Sequence, residues 1–374
     1  MRSLIQVALI ALPVLAFAAD EATLEQYYQL DQTKHLRLAL HDIIDDHTVI
    51  TYTNTWEPLR VLDADPDVTG NVMLVYSLRS ELGTAPDPDT ALQWNKEHLW
   101  PNSYGLDSIH PSYSDLHNLR PADSNVNSSR GNKYYDISDP SSPSYRTPAH
   151  AEATGTSTDS DSWEPPVEVR GDVARAAFYM ATRYIGDVDG EPDLVLTNDM
   201  DKVTSESNFF GRLSTLLQWH KDDPPDDYER ARNDLIHSEY QGNRNPYIDR
   251  PEYAEMVFAD TTDEDADGLT TFDEVFLYRT DPKKADTNGD GLPDGLAVDK
   301  GINPLLDLKP LLDSIVEDTH FRNGGLLVEK VGDQYQLKLT IEKSDDLKTW
   351  TVYQEQTILI DAGSGKNFLR VKME

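Results

Sequence analysis

The chain has 374 residues and no cysteine, which limits the ways in which it can be stabilised. It begins with MRSLIQVALIALPVLAFAAD, a basic start followed by a short apolar run and an Ala-Phe-Ala site. This pattern predicts a secretory signal peptide over residues 1–19, cleaved after Ala18 or Ala19. Export permits disulfides, and this chain can form none. We therefore expect its fold to be held by a hydrophobic core and by bound metal.

A membrane anchor is the alternative reading of the leading segment. Its apolar run is too short to span a bilayer, and it contains Pro13. No later stretch of the sequence is apolar for long enough to cross a membrane. The sequence therefore predicts a secreted protein, extracellular or periplasmic, without a membrane partner.

The charge of the chain is strongly one-sided. It carries 67 Asp and Glu against 33 Lys and Arg, a formal net charge of -34. Such a surface repels nucleic acid and membranes, and it suits salty surroundings in which ions screen the repulsion. A partner with negative charge would need a local basic surface on this acidic body.

The composition divides the mature chain into three regions, of which the first covers residues 20–258. Apolar spacing predicts helices in 171–186 and 207–220, and an acidic start predicts another in 226–241. Many Pro, Ser, Thr and Asp residues predict a long surface loop over 136–166. This region should be α-rich with a small β element.

The second region, residues 259–303, contains an acidic repeat, and the third, residues 304–374, has a β pattern. Apolar and polar residues alternate from Tyr335 to Glu342, which predicts a strand with one buried face. We predict a small antiparallel β-sandwich there. The whole chain is predicted to be an α+β protein.

The segment NKEHLWPNS places an acid directly before a histidine, near the end of a predicted strand at Pro101. His98 is a candidate general base, because imidazole can accept a proton near neutral pH. Glu97 supplies a hard oxygen ligand suited to Mg²⁺. Neighbouring residues of a regular strand point to opposite faces. If both serve one site, the strand must end, twist or bulge at this point.

A second segment, SDLHNLRPADSNVNSSRGN, is rich in amides and guanidinium groups. It predicts a strand over residues 116–119 and a helix that begins at Pro121. Asp123, Asn127 and Arg130 would then share one helical face. The amide oxygen of Asn127 could complete a metal site with Glu97. His117 is interpreted as a structural residue or a support to the site.

These two segments, together with WEPPVEVRGDVARAAFYMATRY, LLQWHKDDPPDDYERARND and QGNRNPYIDRPEY, resemble the secreted and periplasmic endonuclease I family. The resemblance covers roughly residues 25–258. It implies a ββα-metal active site in which His98 is the general base and Glu97 and Asn127 hold Mg²⁺ or Mn²⁺. It also implies hydrolysis of DNA, with RNA as an alternative, to 5′-phosphate ends.

Several basic and amide residues are candidates for contacts with the substrate. Arg120 and Arg130 are candidates for the arginine that assists the phosphate, while Lys133, Arg244 and Asn245 are candidate substrate ligands. Arg250 adds further positive charge. Non-specific binding needs only a few neutralised phosphates, so we predict a narrow basic groove on an acidic body.

The acidic repeat contains DEDADGLTTFDE, which matches the calcium-loop pattern D-x-[DN]-x-[DN]-G-x₅-E. A second loop 23 residues later has Ala297 where the pattern requires Glu, so Ca²⁺ binding there depends on compensation by Asp294 or Asp299. The pair resembles thrombospondin type 3 repeats. The predicted Ca²⁺ ligands are Asp263, Asp265, Asp267 and Glu274 in the first loop and Asp286, Asn288, Asp290 and Asp294 in the second.

The C-terminal region resembles β modules at the ends of secreted bacterial enzymes. Attachment to a surface, binding of a glycan and simple capping are alternative roles for it.

Two other function classes compete with a nuclease. A calcium-dependent surface or adhesion protein would carry an inert nuclease fold, against which Glu97, His98 and Asn127 argue. A phosphatase would release inorganic phosphate from monoesters instead of cutting chains.

Overall fold

The computed structural model describes residues 19–83, 94–205, 207–259, 262–309, 326–331, 334–343 and 351–361. Most of the predicted signal peptide lies outside these ranges. The chain forms two compact units, Met1–Lys283 and Lys284–Glu374. Over the described residues, no helix combines the length and the apolar character needed to span a bilayer.

The first unit is mainly helical over its described residues. Its helices are α1 (Glu21–Tyr27), α2 (Leu36–Ile44), α3 (Trp56–Leu62), α4 (Ser124–Arg130), α5 (Arg170–Arg183), α6 (Leu213–Asp222), α7 (Asp227–Leu235), α8 (Pro246–Asp249), α9 (Tyr253–Phe258) and α10 (Thr271–Asp273). Wider π-helical turns continue α7 over Ile236–Tyr240 and α10 over Glu274–Tyr278.

The strands of the first unit are short and form four small sheets. They are β1 (Asn71–Met73), β2 (Ser80–Leu82), β3 (Trp94–His98), β4 (Leu119–Asp123), β5 (Tyr134–Tyr135), β6 (Ser157–Thr158), β7 (Ser162–Glu164), β8 (Val195–Leu196) and β9 (Phe209–Phe210). Strand β1 pairs with β2 and β3 with β4, both antiparallel, while β8 and β9 are parallel. The third sheet has the order β5-β7-β6.

Helix α5 forms the centre of the core. The apolar spacing places Val173, Ala177 and Met180 on one face of this helix, and all three are buried. The opposite face is buried as well, because α5 contacts α2, α6 and α8. Its polar groups therefore need internal partners: Arg175 binds Glu229, and Thr182 bonds to the Tyr247 hydroxyl.

The predicted helices are present, with shifted bounds. In 207–220 the helix begins only at Leu213, because Phe209 and Phe210 pair with β8 as a strand. In 226–241, Asp226 caps α7 by accepting a hydrogen bond from the Glu229 N–H. The predicted loop 136–166 also contains β6 and β7, whose Trp163 is fully buried.

The predicted bounds in the second motif are wrong by several residues. The strand is Leu119–Asp123 and the helix begins at Ser124, so Pro121 lies in the strand and does not start the helix. Pro121 lacks an N–H, but its carbonyl accepts a hydrogen bond from the Val75 N–H at 2.9 Å. The register with β3 thus overrides the local preference of proline for a helix start.

The segment 262–283 belongs to the first unit, so the predicted boundary at residues 258/259 lies inside this unit. The Arg37 guanidinium lies 3.9 Å from the Phe276 ring and donates to the Val275 carbonyl at 2.9 Å. Phe276 also packs on Phe258, with ring centroids 5.2 Å apart. The first acidic loop is therefore joined to a helical turn that is buried in the core.

The second unit contains α11 (Asp294–Asp299) and a three-stranded antiparallel sheet. The strands are β10 (Leu326–Val331), β11 (Gln334–Lys343) and β12 (Thr351–Asp361), in the order β10-β11-β12. The predicted alternating strand lies in β11. Its predicted inward face falls on side chains outside the described part of the structure.

Candidate active site

Strand β3 and helix α4, which directly follows β4, both contribute residues to the lining of a cavity of about 210 Å³. In the antiparallel pair, Glu97 lies opposite Arg120 and His98 opposite Leu119. Helix α4 begins directly after β4 and buries Val126. The cavity is lined by Tyr52, Lys96, Glu97, His98, Pro101, Asn102, Tyr113, Asn127, Arg130, Gly131 and Asn132. The three residues expected to form the site thus lie around one space.

Strand β3 ends at His98, as the shared use of Glu97 and His98 requires. Beyond it, the backbone is held by Asn118, whose carbonyl accepts from the Leu99 N–H at 2.9 Å. The Asn118 side chain accepts from the Trp100 N–H at 2.7 Å and donates to the Trp100 carbonyl at 3.1 Å. This bend lets two neighbouring side chains line the same cavity.

Glu97 is a buried carboxylate, 3% exposed, held by hydrogen bonds from the protein. Its Oε1 accepts from the Tyr76 hydroxyl at 2.7 Å and from Arg130 Nη1 at 2.8 Å. Since Tyr76 donates its proton to Glu97, the Tyr135 hydroxyl 2.7 Å away must donate to Tyr76. Burial raises the pKa of the Glu97 carboxyl, and the Arg130 charge opposes this effect.

His98 is fixed as a neutral imidazole of known tautomer. Its Nε2 lies 2.8 Å from the Tyr113 carbonyl, which can only accept, so Nε2 carries the proton and Nδ1 is the basic nitrogen. The ring stacks on Tyr52 with centroids 5.5 Å apart and an interplanar angle of 10°. Burial lowers the pKa of His98 to about 4. Near neutral pH the ring is therefore neutral, and Nδ1 carries a free lone pair.

Asn127 is half-buried and oriented by one hydrogen bond. Its Nδ2 donates to Asn95 Oδ1 at 2.8 Å, which directs the Asn127 carbonyl oxygen the other way. Glu97 and Asn127 both line the cavity, and their side chains contain a carboxylate and an amide oxygen. This donor set fits a hard divalent cation such as Mg²⁺.

Arg130 lies in the cavity wall but is almost fully buried. Besides Glu97, its Nη1 binds the His98 carbonyl at 2.9 Å and its Nη2 binds the Leu99 carbonyl at 2.8 Å. Its terminal nitrogens are thus engaged with protein oxygens. The contacts make Arg130 a positioning residue for Glu97 and for the end of β3.

Arg120, the other arginine expected to assist the phosphate, does not line this cavity. It is buried, with Nε 2.7 Å from Asp63 and Nη1 3.3 Å from Asp172. Although it lies opposite Glu97 in the register, its guanidinium is directed to these two carboxylates. This placement corrects the expectation that Arg120 contacts substrate.

The predicted basic groove is not formed by the residues proposed for it. Lys133 Nζ donates to Thr158 Oγ1 and to the Asp159 carbonyl, each at 2.6 Å. Arg250 pairs with Glu21. Arg250 is thus paired with a carboxylate, while the Lys133 ammonium is engaged by a hydroxyl and a backbone carbonyl, so both groups already have partners within the fold.

The structure also corrects the role of Arg244 and Asn245, which are buried and internally bonded. Arg244 binds Asp249 at 2.6 Å and Asp234 at 2.5 Å. Asn245 caps α8 by accepting from the Tyr247 N–H at 3.0 Å. Both stabilise the fold and are not available to a substrate.

Sequence reasoning missed several residues of the site. Lys96 Nζ donates to the Tyr52 carbonyl and lies 4.0 Å from the Tyr52 ring centroid. Burial lowers the pKa of Lys96 to about 8. The i, i+2 spacing of Lys96 and His98 on a strand could have indicated that they share a face. Tyr76 and Tyr135 carry no local signal, since they reach Glu97 only through the tertiary fold.

The two acidic loops have similar backbone geometry. The carboxylate oxygens of Asp263, Asp265 and Asp267 lie within 4.8 Å of one another. Asp263 accepts from the N–H groups of Asp267 and Gly268 at 3.2 and 3.1 Å. Gly268 has φ +102°, which glycine adopts readily. Glu274, at the last position of the pattern, is buried.

In the second loop, Asp286 accepts from the N–H groups of Gly289 and Gly291, both at 2.8 Å. Asp294 is buried and accepts from the Thr287 N–H at 3.0 Å. Asn288 donates to the Pro304 carbonyl at 2.7 Å, and Asp290 accepts from the Leu308 N–H at 2.9 Å. The Asp294 side chain thus contacts the backbone of this loop, and both belong to the second unit.

Comparison with known proteins gives concordant matches. Residues 32–252 match the family model for Endonuclease I, a range that includes all three residues of the candidate site. The chain is 42% identical over 252 residues to an extracellular ribonuclease of Bacillus subtilis (strain 168), covering 66% of this chain and 83% of that protein. It is also 42% identical over 248 residues to an extracellular ribonuclease of Bacillus amyloliquefaciens, covering 65% and 81%.

Proposed function

The chain belongs to the endonuclease I family and is a nuclease, and we propose that it is a secreted, divalent-metal-dependent endonuclease with little sequence preference. The observation that carries the proposal is that Glu97, His98 and Asn127, from two separate segments, line one polar cavity. The relatives are named extracellular ribonucleases, which supports export and makes RNA a substrate beside DNA. The leading segment, with its signal-peptide pattern, agrees with export.

In this proposal β3, β4 and α4 form a ββα-metal motif, and Glu97 and Asn127 hold Mg²⁺ or Mn²⁺. When bound, the ion would polarise the phosphate and stabilise the charge that develops on the leaving 3′ oxygen. Arg130 and Tyr76 favour the ionised form of the Glu97 carboxylate and orient it despite its burial. The protein thereby prepares the ligand position before substrate arrives.

His98 serves as the general base. Its Nδ1 removes a proton from water, the water oxygen forms a bond to phosphorus, and the bond from phosphorus to the 3′ oxygen breaks. The leaving 3′ oxygen takes a proton from solvent and His98 returns its proton to solvent, so the products are a 5′-phosphate and a 3′-hydroxyl. The Tyr113 carbonyl accepts from Nε2 and stabilises the imidazolium that forms. Tyr52, stacked on the ring and held by Lys96, keeps the imidazole in place.

The test is cleavage of plasmid DNA and of RNA by the purified mature protein with Mg²⁺, with and without EDTA. His98→Ala should lower the rate at least about 100-fold, the usual contribution of a general base. His150→Ala, which changes a histidine outside the cavity, is the matched control and should cut normally. Thermal unfolding of both variants would show that they fold.

The results separate the competing functions. Equal cutting by His98→Ala and the parent would overturn the assignment of the base. Absence of cutting by the parent with Mg²⁺ or Mn²⁺ would favour an inert nuclease fold on a calcium-dependent surface protein. Release of inorganic phosphate from monoesters without chain cuts would indicate a phosphatase.

We further propose that both acidic loops bind Ca²⁺, the first loop within the unit Met1–Lys283 and the second within the unit Lys284–Glu374. In the first loop, the carboxylates of Asp263, Asp265 and Asp267 converge, which supports an ion there. In the second, Asp294 is placed against the loop and would replace the acid missing at Ala297. A surface or glycan ligand of the C-terminal module remains a prediction for binding assays.

A further inference from the structure

His41, Asp45 and Asp187 form a compact cluster in the first unit, outside the catalytic cavity. His41 lies in the last turn of α2, Asp45 follows that helix, and Asp187 lies in the segment after α5. His41 Nε2 is 3.2 Å from Asp187 Oδ2 and 3.7 Å from Asp45 Oδ2. One ligand atom from each residue lies within 4.8 Å of the others.

The proton on the His41 ring is assigned by its second partner. Nδ1 lies 3.1 Å from the Thr182 carbonyl, and because a carbonyl only accepts, Nδ1 is the donor. In the neutral ring, Nε2 then presents a lone pair to two carboxylates that are also acceptors. Three acceptors that converge in this way repel one another unless a metal ion or a second ring proton lies between them. Metal-binding histidines commonly donate their other ring N–H to a backbone carbonyl.

The spacing of the ligand atoms suits an ion of the zinc class. Zn²⁺ binds nitrogen and carboxylate oxygen at about 2.0–2.2 Å, so two tetrahedral ligands lie about 3.4 Å apart. The observed separations of 3.2 and 3.7 Å lie on either side of this value. Helices α2 and α5 both end beside the cluster, and helix C-termini favour positive charge.

The surroundings leave the cluster open to an ion. The side chains of Asp45 and Asp187 are 38% and 42% exposed, whereas His41 is only 4% exposed. Arg279 acts electrostatically on Asp187, but it donates to the Val275 carbonyl at 2.6 Å and pairs with Asp193. The buried His41 is thus held in place by the fold, and the two exposed carboxylates can bind an ion that enters from solvent.

We propose that His41, Asp45 and Asp187 bind one divalent cation of the zinc class, separate from the proposed catalytic metal. Water would complete the coordination. The ion would connect the end of α2 to the segment that follows α5, the central helix of the core. Its role is therefore structural, and its binding does not depend on the nuclease mechanism.

The test is Zn²⁺ binding by calorimetry and thermal unfolding of the mature protein. Excess Ca²⁺ occupies the acidic loops, and the Glu97→Gln variant serves as the parent so that the catalytic cavity does not compete. We expect one Zn²⁺ per chain and a rise in melting temperature. His41→Asn retains an amide donor for the Thr182 carbonyl but lacks Nε2. It should lose the Zn²⁺-dependent shift while its metal-free melting temperature stays close to that of the parent.

Asp187→Asn should weaken Zn²⁺ binding at least about 10-fold, in line with losses of ligand support at metal sites. Co²⁺ offers a second readout, since its visible absorption when bound should disappear in His41→Asn. His150→Asn is the matched control and should bind like the parent. A parent that shows no Zn²⁺-dependent shift, because a protonated His41 alone pairs with the carboxylates, would overturn the proposal. Equal Zn²⁺ affinity of His41→Asn and the parent would also overturn it.

Discussion

The catalytic cavity and the first acidic loop both present carboxylates for a proposed cation, but the protein supports them differently. In the cavity, the single buried carboxylate of Glu97 is neutralised by Arg130 and hydrogen-bonded by Tyr76. In the loop, Asp263 is exposed and Asp265 and Asp267 are half-buried. Backbone N–H groups contribute to orienting Asp263, as they do in other turn-like loops.

The two kinds of support predict how strongly the structure of each region depends on its proposed ion. A buried charge must be compensated by the fold itself, so the cavity keeps its shape without metal and loses only its chemistry. Carboxylates that converge near solvent repel one another, so a bound ion should stabilise the loop. Removing metal should therefore abolish activity at the cavity and lower the stability of the unit that contains the loop.

The largest expected effect is on activity, from Glu97→Gln. The amide preserves the size of the side chain but removes the charge that holds the proposed metal. Nuclease activity should fall about 1,000-fold, equivalent to several kcal/mol of transition-state stabilisation. Glu152→Gln, at a more exposed glutamate, is the control. Initial rates on plasmid would measure this effect, and near-normal cutting by Glu97→Gln would show that Glu97 is not a metal ligand.

The next effect is on stability, from Arg130→Met. The variant leaves Glu97 buried without its counter-charge, which should cost about 3–5 kcal/mol of unfolding free energy. Chemical denaturation would measure the loss. Adding Glu97→Gln to Arg130→Met should recover part of it, because the two residues are directly coupled. If Arg130→Met alone were as stable as the parent, the stability of the cavity would not depend on the Arg130–Glu97 ion pair.

Acid should weaken the helical body around the cavity through buried His117. Burial lowers the pKa of His117 to about 4, while the charges of Asp115, Arg232 and neighbouring His47 act in opposing directions. The folded pKa is below the unfolded value of about 6.5. The unfolded chain therefore binds the proton first, and stability falls as pH drops from about 6.5 to 4, by about 3 kcal/mol.

The pH effect is measured as the difference between the parent and His117→Gln across this window. The variant should show a flatter decline below pH 6.5. Asp115 has a lowered pKa, so its contribution is lost only below the ordinary aspartate value and falls outside the window. Parallel pH profiles for the two proteins would show that His117 is not the titrating group.

The smallest effect tests the acidic loop. At a Ca²⁺ concentration about 100 times its Kd, binding stabilises the first unit by about 2.7 kcal/mol. Asp263→Asn or a Ca²⁺-selective chelator should remove this gain, whereas cutting with Mg²⁺ at low temperature should continue. Asp286→Asn, in the other unit, is the control. Calorimetric unfolding would measure the shift in stability. If removal of Ca²⁺ also abolished cutting, the loop and the cavity would not be independent, contrary to this prediction.

Local patterns in the sequence predicted much of the fold and the centre of the site. The long helix at 171–186 follows from apolar spacing, which depends only on helix geometry. The Glu97-His98 pair before Pro101 predicted a strand that ends at the site, and β3 ends at His98. These features are set by neighbours in the chain, so they can be inferred without the rest of the molecule.

An α+β chain without disulfides, with an acid, an imidazole and an amide in two polar segments, can be inferred from the residues alone. Which guanidinium groups support the site becomes clear only in the folded molecule. Arg120 pairs with the distant carboxylates of Asp63 and Asp172, while Arg130 supports Glu97. The physical reason is that a buried charge must find an opposite charge wherever the fold brings one, and that choice depends on packing between segments far apart in the chain.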